Sequence, residues 1–352
     1  MSNLLLPKTT RRAYRGEADL PAIVNLLNLC EAVDQLDAGT SLEEMRQGLS
    51  HPDLNPDLDL SLWESKDGQL LGFAEVSIPE VVQTCIGYLW FKVHPALRDT
   101  PLADDIMAWA EQRIKTVSQT HQQLARLQTS TKSSRHNRLT FLERHGFQPV
   151  RYFYHMTRPL AEPIAQPQLP PGFQVRIVQR EDAQAWVEMF NQTFIDHWNH
   201  HPITVEQFQF DLTDSDYRAD LDLVAIAPDG TFAAFCSSGI CPQENLRSGR
   251  NEGWIGVLGT RRGFRKLGLG RAMLLSGLQA LQQAGVETAL LGVDSENPSG
   301  ALRLYESTGF RQMDTVIVQS KEIAGVAENV TEASFQPIDG TFKSYPLKNS
   351  LP

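Results

Sequence analysis

The chain has 352 residues, 41% of them hydrophobic and 21% charged, and a formal net charge of −10. That length predicts two domains, each with a core of its own, and the composition excludes a disordered chain. The acidic balance disfavours a nucleic-acid surface, no apolar run is long enough to cross a bilayer, and four scattered cysteines without a CxxC pair predict neither a disulfide framework nor a metal site.

The first elements predict an α/β domain over residues 8–160. The opening residues lack the apolar core of a signal peptide, so we expect a cytoplasmic protein. A short strand leads into the amphipathic helix PAIVNLLNLC, and Asp67-Gly68 then joins two strands by a tight turn. The apolar strand CIGYLWFKV, a helix, a strand and a short helix follow, and the half ends with His145-Gly146-Phe147 and a last strand.

Residues 159–171 predict a boundary between domains. Five prolines fall within these thirteen residues. Proline removes a backbone donor and fixes φ, so this composition cannot sustain a helix or a central strand. We interpret residues 161–171 as an interdomain linker.

The second half, residues 172–352, repeats the order of the first. It contains the helix AQAWVEMFNQTF, a hairpin turn at Asp229-Gly230, the apolar strand GWIGVLGT and the ending Thr308-Gly309-Phe310. The fold class predicted is α/β (α+β), with two tandem domains that each have a mixed central sheet and helices on both faces. The repeated Gly-Phe ending favours internal duplication over a chance likeness of two α/β domains.

A glycine turn in the second half predicts a phosphate site. Gly268 and Gly270 lie between the apolar strand and a helix, and residues 261–271 carry four arginines, one lysine and no acid. Backbone N–H groups at a helix start attract anions, and glycine lets the backbone approach them closely. A purely structural tight turn is the alternative interpretation.

Two motifs resemble the GNAT superfamily of acetyltransferases. Arg265 to Gly270 match RxxGxG, and Asn297, Tyr305 and Gly309-Phe310 match the family's later motif. The resemblance covers nearly the whole chain and is to the tandem two-domain type, with an architecture like that of mycothiol synthase. It implies an acetyl-CoA site in the C-terminal domain, formed by Leu258, Gly259, Thr260, Arg265, Lys266, Leu267, Gly268, Leu269, Gly270, Arg271 and Asn297.

The resemblance also implies the chemistry, an N-acetyl transfer to a primary amine of a small molecule or peptide. Strands at 254–260 and 288–294 would splay apart around the pantetheine arm, and a backbone N–H near Leu258 would stabilise the tetrahedral intermediate. Tyr305 would protonate the departing thiolate. Helix capping by Asn297 and core packing by Tyr305 are the structural alternatives.

The general base is less well defined. Trp254 stands where some family members have a glutamate, and Glu252 shares its strand face because side chains alternate. Glu252 is the candidate base, with a solvated loop carboxylate as the alternative. His197, His200 and His201 are further candidates for contacts with the acceptor.

The first half lacks the features of the second. Pro101 stands opposite Gly268, Asp104 replaces Arg271, and Leu142 stands opposite Tyr305. Since proline lacks an N–H and an acid repels pyrophosphate, we expect one catalytic site per chain. A coenzyme A-binding sensor without catalytic activity and an O-acyltransferase are the alternative functions.

Overall fold

The computed structural model describes residues 8–34, 39–79, 84–195, 202–297 and 299–323. These residues form two compact units. The first unit extends to Val150 and includes the chain again from Val318, and the second spans Arg151–Ile317. No helix among the described residues is both long and apolar enough to cross a membrane.

Among the described residues, the first half of the chain contributes five strands, four α-helices longer than one turn and a one-turn helix to the first unit. In chain order these are β1 (Thr10–Arg12), α1 (Leu20–Asp34), α2 (Leu42–Leu49), α3 (Pro56–Asp59), β2 (Leu60–Glu64), β3 (Leu70–Ser77), β4 (Thr84–Val93), α4 (Leu102–His121), β5 (Leu124–Lys132) and α5 (His136–Arg144). Neighbouring strands from β1 to β4 are antiparallel, whereas β4 and β5 are parallel.

The first half of the chain ends with β6 (Gln148–Pro159). The second half follows a similar order, with an added helix between its third and fourth strands. Its elements are β7 (Gln174–Ile177), α6 (Ala183–Phe194), α7 (Val205–Asp211), β8 (Asp222–Ile226), β9 (Phe232–Ile240), α8 (Pro242–Ser248), β10 (Glu252–Thr260), α9 (Leu269–Gln283), β11 (Thr288–Asp294), α10 (Ala301–Ser307) and β12 (Arg311–Ile323). Strands β7 to β10 are antiparallel neighbours, and β10 and β11 are parallel. The sequence did not predict α8.

Each unit has a core on both faces of its sheet. In the first unit, Leu62 packs with α1 and α2, while its neighbour Trp63 packs with α4 on the other face. In the second unit, Phe235 packs with α6 and α7, while Cys236 packs with α9 and α10. Adjacent strand residues point to opposite faces. The predicted mixed sheets with helices on both faces are confirmed.

The last strand of each unit comes from the other half of the sequence. β6 pairs with β11 in antiparallel register, from Phe153 with Asp294 to Pro159 with Thr288. The first unit instead takes in β12 from Val318 onward, next to β5. The compact units therefore divide at residue 150, whereas the sequence predicted domains of 8–160 and 172–352.

The proline-rich segment packs against the second unit. It contains no helix or strand after Pro159, as its composition predicted. Leu160 is 1% exposed, its N–H donates to the Glu287 carbonyl at 2.8 Å, and its carbonyl accepts from Gln282 at 2.6 Å. Residues 161–171 lie within the second compact unit, and their role as an interdomain linker stays a prediction.

Asp222 makes the stability of the second unit depend on pH. The carboxyl is 2% exposed, it accepts a hydrogen bond from the Tyr217 hydroxyl, and burial raises the pKa of Asp222 to about 7. In an unfolded chain the pKa of aspartate is about 4. The folded state therefore keeps a proton that the unfolded state releases, and the stabilisation is lost as pH rises from about 4 to 7.

We expect Asp222→Asn to remove this titration. The parent should lose thermal stability relative to the variant as the pH is raised from 4 to 7, measured as the difference between their unfolding midpoints. A difference that stays constant over this range would contradict the assignment.

Candidate functional site

β10 and β11 separate at their carboxyl ends. Their parallel pairing ends at Ile255 with Leu291. Beyond this level both strands continue, β10 paired with β9 and β11 paired with β6. The edges that face each other, residues 257–260 and 292–294, have no strand partner there and can bind an extended group. The predicted splay is confirmed.

A β-bulge lies at the level where the strands separate. The register of β10 with β9 shifts between Ile255 and Val257. A bulge bends its strand, so it directs β10 away from β11. Gly259 follows, and a Cβ atom there would lie 2.6 Å from atoms of Phe235 and Thr193. Close packing against β9 and α6 therefore requires glycine at this predicted cofactor position.

The loop from β10 to α9 has an alternating backbone conformation. Lys266 has φ of 65° and Gly268, the N-cap of α9, has φ of 85°. The left-handed region costs residues with a Cβ about 1–2 kcal/mol, so glycine is favoured at 268. Because the N-cap residue is glycine, it has no side chain that could cap the first turn of α9. Turns of this kind present successive N–H groups to an anion, and the helix dipole adds to the attraction.

Gly270 has a different reason to be glycine. A Cβ atom there would lie 3.5 Å from Oγ1 of Thr260 and 3.8 Å from Leu304, which are ordinary contacts. The protein itself therefore tolerates a side chain at 270. Close approach of a ligand, as the sequence predicted, would be the constraint.

The predicted cations have different environments. Arg265 donates to the Thr193 carbonyl at 2.8 Å, so it attaches the loop to α6. Arg271, in the first turn of α9, donates to the Ser307 hydroxyl at 2.7 Å, and Lys266, in the loop before α9, is exposed. Leu267 and Leu269 complete the predicted segment, the first 50% exposed and the second buried. Lys266 and Arg271 are thus the predicted cations nearest to solvent at the helix start.

Asn297 does not cap a helix. α10 begins at Ala301, and its N-cap is Gly300 with φ of 77°. Oδ1 of Asn297 instead accepts hydrogen bonds from the N–H and the hydroxyl of Ser299, closing a local turn. The capping interpretation is wrong, because the chain makes this turn before the helix starts. The contact of Asn297 with the pantetheine arm stays a prediction.

Tyr305 lies on α10 within the core beside α9. It is 8% exposed, and its ring packs edge-on against Phe310 at 6.0 Å. Its hydroxyl makes no hydrogen bond to the part of the chain that the structure describes. Burial raises the pKa of Tyr305 above its usual value, and Cys236 adds to the effect. The phenol therefore stays protonated near neutral pH and can donate a hydrogen bond.

Glu252 lies at the closed end of the opening. It is the first residue of β10, pairs with Thr288 on β11, and its carboxylate binds Arg250 at 3.0 Å. At about 3.3 Å per residue, it lies roughly 10 Å before the last pair at Ile255. This position and its ion pair do not favour Glu252 as the base. His197, His200 and His201 lie outside the described residues.

His155 is a residue that the sequence did not single out. It lies on β6 with 7% exposure, and its ring meets Trp254 of β10 edge-on at 5.7 Å. The sequence interpretation assigned its strand to the first domain, so the two residues fell in different domains. A buried histidine in the aromatic strand RYFYHMT was the available signal.

The first unit has a similar opening with different lining. β4 and β5 pair only as far as Tyr88 with Gln128. Arg98 is bound by Asp34 through two hydrogen bonds, at 2.5 and 3.0 Å. The guanidinium of Arg138 lies 4.3 Å above the ring of Phe91, on the part of β4 that has separated from β5.

The start of α4 is also unlike that of α9. Pro101 is its N-cap, and the N–H of Leu102 donates to the Thr100 hydroxyl at 3.4 Å. Asp104, in the first turn, accepts from Arg144 and lies 2.8 Å from the His145 ring. These internal contacts support the prediction that the first unit lacks a tight phosphate site.

Residues 183–310, from the start of α6 to the residue before β12, match the family model described as the Acetyltransferase (GNAT) family. This segment of the chain matches the GNAT family. The match contains the separating strands, the glycine turn and Tyr305, so the geometry and the family assignment concern the same residues.

Solved GNAT structures share the fold over most of the chain. A GCN5-related N-acetyltransferase from Sphaerobacter thermophilus is 26% identical, with a TM-score of 0.67 over 91% of this chain and 97% of that one. A tandem GNAT protein from the clavulanic acid biosynthesis pathway is 16% identical, with a TM-score of 0.66 over 91% and 99% of the two chains. The tandem GNAT architecture is confirmed.

Curated relatives include mycothiol acetyltransferases. That of Nocardiopsis dassonvillei is 30% identical over 49% of this chain and 58% of its own length. That of Pseudarthrobacter chlorophenolicus is 26% identical over 85% and 92%. The chain therefore spans little more than half the length of the first of these relatives.

Proposed function

We propose that the chain is an acetyl-CoA-dependent N-acetyltransferase with its active site in the second unit. One observation carries the proposal: the uncapped glycine turn of α9 directly follows the strand that separates from its parallel neighbour. An acyl donor with an extended amide arm and a pyrophosphate needs both features, an unpaired strand edge and an anion site. The GNAT relatives support this assignment.

The chain's own groups have distinct tasks in this proposal. N–H groups at the start of α9, with Lys266 and Arg271, bind pyrophosphate. The edges at 257–260 and 292–294 hold the extended arm, and a backbone N–H near Leu258 stabilises the oxyanion. Acetyl-CoA supplies an activated acyl group. Tyr305 donates a hydrogen bond to the sulfur position.

The acceptor proposed is the primary amine of a small molecule, with a peptide amine as the second class. The naming of curated relatives as mycothiol acetyltransferases supports a small-molecule acceptor. Trp254 and His155 lie on the face of the sheet that also carries α6 and α7. The amine would approach the thioester from this face.

A panel of amines, including amino sugars, aminoglycosides and peptides, tests the proposal through thiol release from acetyl-CoA. We expect release that depends on the amine and a product acetylated on nitrogen, identified by mass spectrometry. Coenzyme A binding without release across the panel would instead support a sensor.

We expect one tight coenzyme A site per chain. The start of α4 and Arg98 are engaged by protein groups, whereas the start of α9 is open to a ligand. Calorimetric titration of the purified protein should therefore give a stoichiometry near one. Two equal sites would show that both units bind coenzyme A. Binding lost on changing Arg98 and kept in Gly268→Asp would place the site in the first unit.

A further inference from the structure

His155 has a buried ring nitrogen that stability does not explain. The side chain is 7% exposed, and its Nε2 has no hydrogen-bond partner among the described residues. Leaving a buried polar atom without a hydrogen-bond partner destabilises the folded state. A buried atom without a partner can instead form a hydrogen bond with a substrate.

Asp314 determines which ring nitrogen of His155 carries the proton. Its Oδ1 lies 2.9 Å from Nδ1 of His155, close although not aligned as in a regular hydrogen bond. A carboxylate at this distance favours the proton on Nδ1, which leaves Nε2 as a proton acceptor.

His155 lies at the level where β10 and β11 separate. It pairs with Gly292, which is the first residue of β11 beyond the last pair with β10. Glycine has no side chain, so the imidazole can reach across β11 to contact Trp254. Strand alternation places both rings on the face of the sheet opposite to α9.

We propose that His155 is the general base for the acceptor amine and that Asp314 positions it, an inference that rests on the proposed function. Nε2, directly or through one water, takes a proton from the ammonium form of the acceptor. The neutral amine forms the new C–N bond as the thioester C–S bond breaks, and the sulfur keeps the electron pair. The amide nitrogen loses its extra proton to solvent, and solvent protonates the departing sulfur, to which Tyr305 donates a hydrogen bond. The imidazolium returns its proton to solvent.

The other charged groups on this face are already paired. Asp294, at the end of β11, is bound by Arg151, and Glu252, at the start of β10, is bound by Arg250. Asp314 is thus the charge that most directly acts on His155. Two variants follow from this arrangement, one for each member of the pair.

His155→Gln should lower kcat/KM by about 10²-fold or more, the usual contribution of a general base, while coenzyme A affinity stays unchanged. The panel amine that gives the fastest thiol release serves as acceptor. His145→Gln is the matched control, because it removes another His–Asp pair, in the first unit. Parent kcat/KM in His155→Gln would overturn the proposal, and the parent's activity would still support the proposed function.

Asp314→Asn separates positioning from a structural role. Without the carboxylate the ring can carry its proton on either nitrogen, so the ¹⁵N spectrum should show both tautomers and kcat/KM should fall while coenzyme A affinity stays unchanged. A ring that keeps its proton on Nδ1 in this variant would show that Asp314 does not act through His155.

A spectroscopic measurement is independent of turnover. In protein labelled with ¹⁵N-histidine, we expect His155 to carry its proton on Nδ1, and its Nε2 resonance to shift when coenzyme A alone is added. A proton on Nε2, or a resonance that coenzyme A leaves unchanged, would overturn the proposal even if no amine in the panel reacts.

Discussion

Gly268→Asp is expected to abolish measurable coenzyme A binding while the protein stays folded. Gly268 has φ of 85° and begins α9, where N–H groups and the helix dipole attract phosphate. An aspartate there places a negative charge and a side chain in the anion site. An acid at a helix start is otherwise favourable, and the left-handed backbone costs about 1–2 kcal/mol, too little to unfold a domain of this size. Calorimetric titration with coenzyme A measures the loss.

Gly230→Asp is the matched control. Gly230 has φ of 86°, lies in the exposed turn between β8 and β9, and has open space where its Cβ would be. It therefore reproduces the backbone strain and the added charge without touching the start of α9. We expect parent affinity in this variant. If Gly268→Asp also bound coenzyme A as the parent does, the phosphate site would lie elsewhere.

Local signals in the sequence predicted the elements well. The helix AQAWVEMFNQTF is α6, and Gly68 and Gly230, in the two Asp-Gly turns, both have the positive φ that such turns favour. The glycine turn and the helix after it lie where RxxGxG placed them. Each of these depends on a few neighbouring residues, so the sequence alone could specify it.

The sequence did not predict which distant strands pair. β6 pairs with β11, a strand about 140 residues later in the chain, and no local pattern in RYFYHMT selects that partner. Assigning β6 to the first domain followed from sequence order. The same assignment hid the contact between His155 and Trp254, so the site was predicted without a group that the exchange of strands brings to it.

The turn at Asn297 shows a different limit. An asparagine before a proline is a common helix start, yet its side chain can equally close a turn with the residue two positions later. The structure has the second arrangement, with Ser299 as the donor. Both use the same side-chain oxygen, so the residue types alone could not decide between them.

Tyr305→Phe is expected to lower turnover by about 10²-fold, near the low end for a general acid, and to leave coenzyme A affinity nearly unchanged. Only the hydroxyl is removed, and the ring keeps its contact with Phe310. Tyr217→Phe is the control, because it also removes a phenol hydroxyl in the second unit, a partly buried one that donates to Asp222. Parent turnover in Tyr305→Phe with a confirmed acceptor would assign the role to another group or to water.

The pKa of Tyr305 determines how that hydroxyl can act. Burial raises it above the ordinary phenol value of about 10, whereas a thiol titrates near about 8.5. Complete proton transfer to the thiolate is therefore uphill, and the phenol acts by donating a hydrogen bond as the C–S bond breaks, with solvent supplying the proton afterwards. Its protonated form persists above pH 9, so Tyr305 should cause no loss of activity on the alkaline side. An alkaline limb near pH 8–9 in the parent that disappears in Tyr305→Phe would show a phenol with a lowered pKa and a true proton donor.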